Sequence, residues 1–239
     1  MMKRPSLRKA AGALLAAFAL ALAAGTAFVA ADGQNRSVLR HEADNLICDL
    51  KDLSGIDLAS PIDWDGQPEE VVAWIEIPGT RVDYPVVQAS PSSPDYYLTH
   101  DQYGQYDVYG IPFIAAGCEK GIDSPNVIIC AHHMDDGSMF ADVAGFSRSE
   151  FAQEHRDVLI YTRERTYELK VKGAQIIDGS SELATTQFAD SQDYADWVSK
   201  TNDRSCATLA SLDPSRQTFT LCTCSYTTYR NERTLVFCQ

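Results

Sequence analysis

The chain has 239 residues, of which 45% are hydrophobic, and a formal net charge of −13 at pH 7. This acidic balance argues against nucleic-acid binding, because the phosphate backbone attracts basic proteins. Typical domains have about 100–200 residues, so the length suits one sizeable domain with its own core in addition to an N-terminal segment.

The N-terminal segment predicts a membrane anchor. Basic residues within 1–9 precede an uncharged, Ala- and Leu-rich run over residues 10–31. About 20 apolar residues span a bilayer, whereas the apolar core of a cleaved signal peptide has roughly 7–15. We therefore expect a cytoplasmic basic tail over 1–9, a transmembrane helix over 10–31, and the rest of the chain outside a cell membrane that it crosses once. Cleavage by a signal peptidase near residues 29–31 is the alternative.

Beyond the anchor, two segments lead into the main domain. Apolar residues recur at helical spacing over residues 34–53 and predict a helix. Gly and Pro residues between 54 and 68 then mark a linker or entry loop. We therefore expect a helical stalk and linker over 32–60, followed by a domain over 61–239.

The pattern of this domain is that of a β protein. Short apolar runs, several of them alternating with polar residues, lie between turn signals. The predicted strands cover residues 71–77, 82–87, 111–114, 127–130, 158–161, 167–171, 218–223 and 234–238, and a helix is predicted over 188–205. These elements predict a mostly β fold with a few helices, in which the strands form a closed or nearly closed barrel.

The chain contains seven cysteines, and an odd number leaves at least one thiol free in an exported protein. Cys222 and Cys224 lie two residues apart on a predicted strand, which places their Cα atoms about 6.6–6.8 Å apart. That separation is at the limit for a disulfide, so we expect no bridge between them. The pairing of the other cysteines remains open.

Three residues carry the types of group that acyl transfer needs. Cys224 ends one predicted strand, His132 follows another, and Arg233 opens the last one. A thiolate attacks a carbonyl, a histidine moves protons, and a fixed cation stabilises the oxyanion that forms. These three residues are therefore the candidate nucleophile, acid/base and anion-stabilising group.

The residues around this set resemble motifs of one enzyme family. The run Thr220-Leu221-Cys222-Thr223-Cys224 resembles the TLxTC motif of sortases, and residues 126–140 resemble the stretch around the catalytic histidine of class B sortases. Residues 74–80 and 83–88 resemble the family's early strands, and residues 96–101 resemble its YYLxHD segment. The chain is thus similar, over about residues 64–239, to membrane-anchored cysteine transpeptidases of Gram-positive bacteria.

The resemblance implies an eight-stranded sortase-type β-barrel with additional helices, which would make 61–239 the catalytic domain. By the same similarity, Cys224 is the nucleophile, His132 the catalytic histidine and Arg233 the catalytic arginine. Thr223 would help to hold the substrate or the oxyanion, and Leu98 would line the groove for the sorting signal.

Two positions depart from the family pattern close to the site. Cys130-Ala131 stands where Tyr-Gly is usual, and Cys222 stands where Ser is common. Neither departure removes a catalytic group. Both are expected to change thiol reactivity or to invite oxidation near Cys224.

The implied reaction is transpeptidation without a metal or organic cofactor. Cys224 would cleave the C-terminal sorting signal of an exported protein and form a thioester, which an amine would then resolve. The expected partners are exported proteins that bear a sorting signal and either a peptidoglycan precursor or a pilin as the amine acceptor. The membrane would be a further partner, through the N-terminal helix, and nucleic acid would not. The amino-acid sequence of the sorting signal and the identity of the amine acceptor remain open.

Other functions use similar residues. A papain-like peptidoglycan peptidase also uses Cys and His, but there the cysteine opens a helix and precedes the histidine, whereas His132 precedes Cys224 here. The S-x-G-C motif of L,D-transpeptidases is absent around every cysteine. The remaining alternatives are a non-catalytic metal site on Cys222, Cys224, His132 and His133, and an exported binding module.

For the catalytic histidine and for the catalytic arginine, the sequence offers two neighbouring candidates each. Adjacent residues on an extended segment face opposite ways, so we expect His132 and not His133 to address Cys224. Arg233 adjoins a predicted strand, whereas Arg230 lies in a polar stretch. Since a strand positions a side chain better than a loop does, Arg233 is the expected catalytic arginine.

Overall fold

The computed structural model describes residues 62–180, 184–225 and 231–239. Nine strands lie within these ranges. They are β1 (Val71–Glu76), β2 (Asp83–Gln88), β3 (Phe113–Ile114), β4 (Asn126–Cys130), β5 (Asp157–Tyr161), β6 (Thr166–Asp178), β7 (Ala207–Thr208), β8 (Thr218–Ser225) and β9 (Glu232–Cys238).

Eight of the strands close into a barrel. Their order is β5-β1-β2-β3-β4-β8-β9-β6, and β6 pairs with β5 to complete the circle. The two-residue strand β7 adds to β6 from outside the circle. The β2–β3 and β4–β8 pairs are parallel and the other pairs are antiparallel, so the barrel is mixed.

Burial along the strands follows from their positions in the barrel. In β1, Val71, Ala73 and Ile75 are fully buried and alternate with half-buried residues, as in a strand with one face toward the core. In β4, the run 126–129 is buried without alternation. Strands with both faces covered have such continuous apolar runs, and β4 lies between β3 and the parallel strand β8.

The helices are few and short except for one. They are α1 (Ala141–Gly145), α2 (Ser149–Glu154) and α3 (Ser191–Arg204). The side chain of Asp190 caps α3 by accepting hydrogen bonds from the backbone N–H groups of Gln192 and Asp193, both at 2.9 Å.

The apolar side of α3 covers part of the barrel. Its Tyr194 and Val198 belong to a buried cluster with Ile177 of β6 and with Leu235 and Phe237 of β9. We call this group the α3 cluster. Residues 234–238 of β9 are therefore buried without alternation, and α3 covers Leu235 and Phe237 among them.

The prediction of a mostly β fold with an eight-stranded barrel is confirmed. Each predicted strand coincides with an observed one, but β6 runs on to Asp178 and β3 has only two residues. The helix predicted over 188–205 is α3, from Ser191 to Arg204. The sequence did not predict α1, α2 and β7, because elements of five, six and two residues are too short to show periodicity.

The predicted tail, transmembrane helix and stalk all fall within residues 1–60, which lie outside the described residues. In the ranges that the structure describes, no helix is long and apolar enough to cross a membrane.

Candidate active site

Cys224 and Arg233 are direct partners across the antiparallel pair β8–β9. Residues opposite each other in such a pair have Cβ atoms about 4.5–5.5 Å apart and share a face of the sheet. Both side chains are half-buried. The Nη1 group of Arg233 donates a hydrogen bond of 3.0 Å to the carbonyl of the preceding residue, Glu232. The two residues that the sequence singled out as nucleophile and cation therefore lie side by side.

Buried hydroxyl groups fix this pair from the other face of β8. Leu221, Thr223 and Ser225 are buried, and Cys222 and Cys224 alternate with them as half-buried residues. The Ser225 hydroxyl accepts a hydrogen bond of 2.9 Å from the hydroxyl of Thr234 on β9. Unpaired hydroxyl groups are costly to bury, so this bond favours the observed register of the two strands.

Thr223 has a position different from the one its predicted role suggests. Its side chain is 1% exposed, and its hydroxyl donates a hydrogen bond of 3.0 Å to the carbonyl of Ala131. The hydroxyl thus ties β8 to the segment that leads to His132. Any contact with a substrate or an oxyanion would have to come from the backbone of Thr223.

His132 lies just after β4 and is held by single hydrogen bonds. Its carbonyl accepts from the N–H of Phe140 at 2.8 Å, and its Nε2 atom lies 2.8 Å from the carbonyl oxygen of Leu98. Because a carbonyl oxygen only accepts, Nε2 carries the proton in this bond. The structure therefore joins His132 to Leu98, but through the backbone of Leu98.

His133 reaches a different atom from His132. Its Nδ1 atom donates a hydrogen bond of 2.9 Å to the carbonyl oxygen of Cys224. The sequence analysis missed this contact, since nothing in the His-His pair indicates that the second ring binds the backbone of the strand that carries Cys224. His133 therefore connects the segment after β4 to the end of β8.

The side chain of Leu98 belongs to an apolar wall. Leu98 ends a 3₁₀ turn over Tyr96–Leu98 and packs, with Tyr97 and Cys130, against a second buried cluster. The members of this β1–β3 cluster are Val71, Val87, Ala89, Ile111 and Phe113. Leu98 thus lies in an apolar surface beside β4.

The two unusual cysteines are paired. Cys130 of β4 and Cys222 of β8 are direct partners in the parallel ladder. Cys130 packs against the β1–β3 cluster, and Cys222 packs against the α3 cluster. The pair therefore lies between the two apolar clusters. We call Cys130, Cys222 and Cys224 the cysteine row.

Hydrogen bonding and charge act differently on the two thiols of the pair. The hydrogen bond between their sulfurs, together with burial, raises the pKa of Cys130 well above its ordinary value. The same hydrogen bond lowers the pKa of Cys222, and the Arg233 guanidinium adds to this effect while burial opposes it. The pKa is therefore raised at Cys130 and lowered at Cys222.

A cavity of about 260 Å³ lies beneath α3, lined by residues that include Gln175, Trp197 and Leu235. None of the residues predicted for the site lines it. Among the described residues there is also no group of three or more His, Cys, Asp or Glu side chains that could hold a metal ion. The alternative of a metal site on Cys222, Cys224, His132 and His133 is therefore not supported.

A sequence model of the sortase domain matches residues 75–239. The chain belongs to the sortase family. This result confirms the recognition made from the motifs, and it excludes the papain-like and L,D-transpeptidase alternatives because those enzymes belong to other families. The alternative of a non-catalytic exported binding module is not supported either, because sortases are enzymes.

The relatives of this sortase are distant. Sortase B of Listeria monocytogenes is 27% identical over 137 residues, which are 57% of this chain and 55% of that protein. The chain thus spans about half the length of the curated relatives it matches.

Solved structures share the fold. Sortase B of Bacillus anthracis in complex with AAEK1 has a TM-score of 0.62 and 27% identity, over 71% of this chain and 78% of that one. A sortase B–substrate complex from Staphylococcus aureus has a TM-score of 0.62 and 23% identity over the same shares of the two chains. All three of these relatives are sortase B proteins.

Proposed function

We propose that this sortase is a membrane-anchored cysteine transpeptidase, in which Cys224 cleaves the sorting signal of an exported protein and an amine resolves the thioester. The observation that carries the proposal is the direct pairing of Cys224 with Arg233 across β8 and β9. This pairing puts a thiol and a permanent cation on one face of a rigid ladder. Family membership supports the same reaction class.

In the proposed first step, the Cys224 thiolate attacks the carbonyl carbon of the scissile peptide bond. The carbonyl oxygen becomes an oxyanion, and Arg233 is the described cation that the ladder holds beside this point. A guanidinium offers several donors in a fixed geometry, so it stabilises an oxyanion better than a flexible ammonium does. The segment 226–230, which connects β8 to β9, lies outside the described residues.

In the second step, His132 protonates the amine that leaves. The Leu98 carbonyl accepts the Nε2 proton, which fixes the orientation of the ring. In a histidine whose Nε2–H is held by a carbonyl, Nδ1 is the nitrogen available to exchange a proton with the substrate. An acceptor amine, from a peptidoglycan precursor or a pilin, then attacks the thioester and forms the new amide. Water can replace the amine, and the result is hydrolysis.

The sorting signal would lie against the apolar surface around Leu98. An extended peptide needs a surface that covers its apolar side chains, and Leu98 lies in the wall formed with the β1–β3 cluster. The S. aureus sortase B–substrate complex has the same fold and supports substrates of this kind. The backbone of Thr223 is the second proposed substrate contact.

The proposed topology follows from the sequence alone. A basic tail over 1–9 would stay in the cytoplasm, a helix over 10–31 would cross the cell membrane once, and a stalk over 32–60 would carry the catalytic domain 61–239 outside the membrane. Exported proteins pass this face of the membrane, so the anchor would place the site where its substrates emerge.

Transpeptidation by the full-length protein in detergent micelles tests the proposal. We expect the protein, incubated with a library of sorting-signal peptides and a small amine, to release the C-terminal fragment and to form the new amide. Cys224→Ala should abolish both products, and Cys206→Ser should not, because Cys206 is an exposed thiol outside the cysteine row. Amide formation by Cys224→Ala would contradict the proposal.

A further inference from the structure

We infer that Cys130 and Cys222 are a redox-active dithiol. The two thiols form a reversible disulfide with each other, and neither forms one with Cys224 in preference. The inference rests on their pairing in the β4–β8 ladder and on their place beside the nucleophile. It concerns thiol chemistry alone and does not require that Cys224 form a thioester.

The backbone already holds the two cysteines at a suitable separation. They are direct Cα partners on adjacent strands. Neighbouring strands lie about 4.7–4.9 Å apart, which falls within the range of about 4.4–6.8 Å that disulfides bridge. By the same measure Cys222 and Cys224, two residues apart on β8, lie at the upper limit of this range. Cys130 is therefore the better placed partner for Cys222.

Each of the two thiols also affects the pKa of the other. Hydrogen bonding with Cys222 raises the pKa of Cys130, and neither residue is fully buried. The hydrogen bond from Cys130 and the charge of Arg233 lower the pKa of Cys222. Since the thiolate is the nucleophile in disulfide exchange, Cys222 is the attacking thiol of the pair.

Two other described cysteines, Cys118 and Cys238, lack these properties. Cys118 is buried, its thiol donates to the carbonyl of Asn126, and burial raises its pKa. Cys238 is fully buried in β9, and burial raises its pKa too. Both thiols are protected from exchange by burial, whereas Cys222 is only half-buried and its pKa is lowered.

The two cysteines also lie close in sequence to the predicted catalytic residues. Cys130 precedes His132 by two residues and Cys222 precedes Cys224 by two residues. Residues two apart on a strand share a face, so Cys222 and Cys224 are neighbours on the outer face of β8. Of these two neighbours, Cys222 is the one that has a cysteine as its direct partner across β4–β8.

Disulfide exchange would oxidise the pair in two steps. The Cys222 thiolate attacks one sulfur of a donor disulfide, such as an exported oxidoreductase in its disulfide form or a low-molecular-weight disulfide, and the other donor sulfur leaves as a thiolate. Cys130 then gives up its proton and attacks Cys222, which expels the first donor sulfur. The two protein thiols lose two electrons and two protons, and the donor is reduced to two thiols.

Oxidised glutathione is the probe that tests the inference. Reduced full-length protein in detergent micelles is treated with it, free thiols are alkylated with iodoacetamide, and the digest is mapped by mass spectrometry without reduction. We expect a peptide pair linked through Cys130 and Cys222, alkylated Cys224, and loss of the link after treatment with dithiothreitol. A glutathione adduct that persists on Cys224, or a disulfide that joins Cys222 to Cys224, would overturn the inference.

Two variants sharpen the test. Cys130→Ala removes the resolving thiol, so glutathione should remain on Cys222 as a mixed disulfide and its release should slow at least tenfold. Cys206→Ser, which alters an exposed cysteine elsewhere, should leave the Cys130–Cys222 link unchanged. Equal accumulation of the mixed disulfide on Cys222 in the wild type and in Cys130→Ala would show that Cys130 does not resolve it, and would reject the dithiol.

Discussion

The candidate site has two halves that are held in different ways. Cys224 and Arg233 lie within the β8–β9 ladder, in which seven residue pairs are in continuous register. His132 lies beyond the end of β4, and single hydrogen bonds to Leu98 and Phe140 hold it. Many backbone bonds position the strand-borne residues, so a side-chain change there leaves the geometry intact. The histidine depends on few contacts, and its position is the more easily lost.

The largest effect is expected at the loop-borne half. His132→Ala should lower kcat/KM for a fluorogenic sorting peptide by ~10²–10⁴, the usual contribution of a general acid/base. His133→Ala removes one hydrogen bond to the Cys224 carbonyl, so it should cost about 0.5–1.5 kcal/mol of stability and leave most of the activity. Steady-state turnover together with thermal unfolding distinguishes the two. Equal losses of turnover in both variants, with folding intact, would remove the special role of His132.

At the strand-borne half, Arg233→Lys should lower kcat by ~10²–10³, the typical cost of losing one oxyanion donor. Lysine keeps the charge but loses the planar arrangement of donors, while the β8–β9 ladder remains. The control is Arg230→Ala, which should remain within a few-fold of wild type because Arg230 lies in a polar stretch of the sequence outside the predicted strand. If Arg230→Ala collapsed in the same turnover assay while Arg233→Ala stayed near normal, the arginine assignment would be reversed.

The smallest effect on chemistry is expected for Thr223→Val, which probes the connection between the halves. The change removes the buried hydroxyl and leaves the Ala131 carbonyl without this donor, at a cost of about 1–3 kcal/mol of unfolding free energy. Urea unfolding measures this loss, and turnover per folded molecule should stay within a few-fold of wild type. Unchanged stability with a large loss of kcat would instead indicate that the hydroxyl acts on the substrate.

Much of this arrangement was predictable from the sequence. Strand ends and their flanking motifs located Cys224, His132 and Arg233, because alternation and turn residues are local signals. The strand pattern predicted a closed or nearly closed barrel, the family resemblance predicted eight strands, and the structure confirms both.

Contacts between strands distant in sequence could not be predicted. Cys130 and Cys222 are partners only because β4 pairs in parallel with β8, a pairing that no local pattern encodes. The bonds of His132 to Leu98 and of His133 to Cys224 use backbone carbonyls, which every residue has, so side-chain identity gives no hint of them. The inward position of Thr223 follows from the alternation along β8, whereas its partner Ala131 does not.

The central claim is that Cys224, of the three thiols in the cysteine row, attacks the substrate. The most direct test is to incubate the full-length protein with a sorting peptide that it cleaves, in the absence of an amine, to quench in acid, and to map the acyl group by mass spectrometry. The account predicts a thioester on the peptide that contains Cys224, at this residue and not at Cys222, and its disappearance when an amine is added. An acyl group on Cys222 or Cys130 would contradict the account, since the pairing of Cys224 with Arg233 would then not mark the reacting centre.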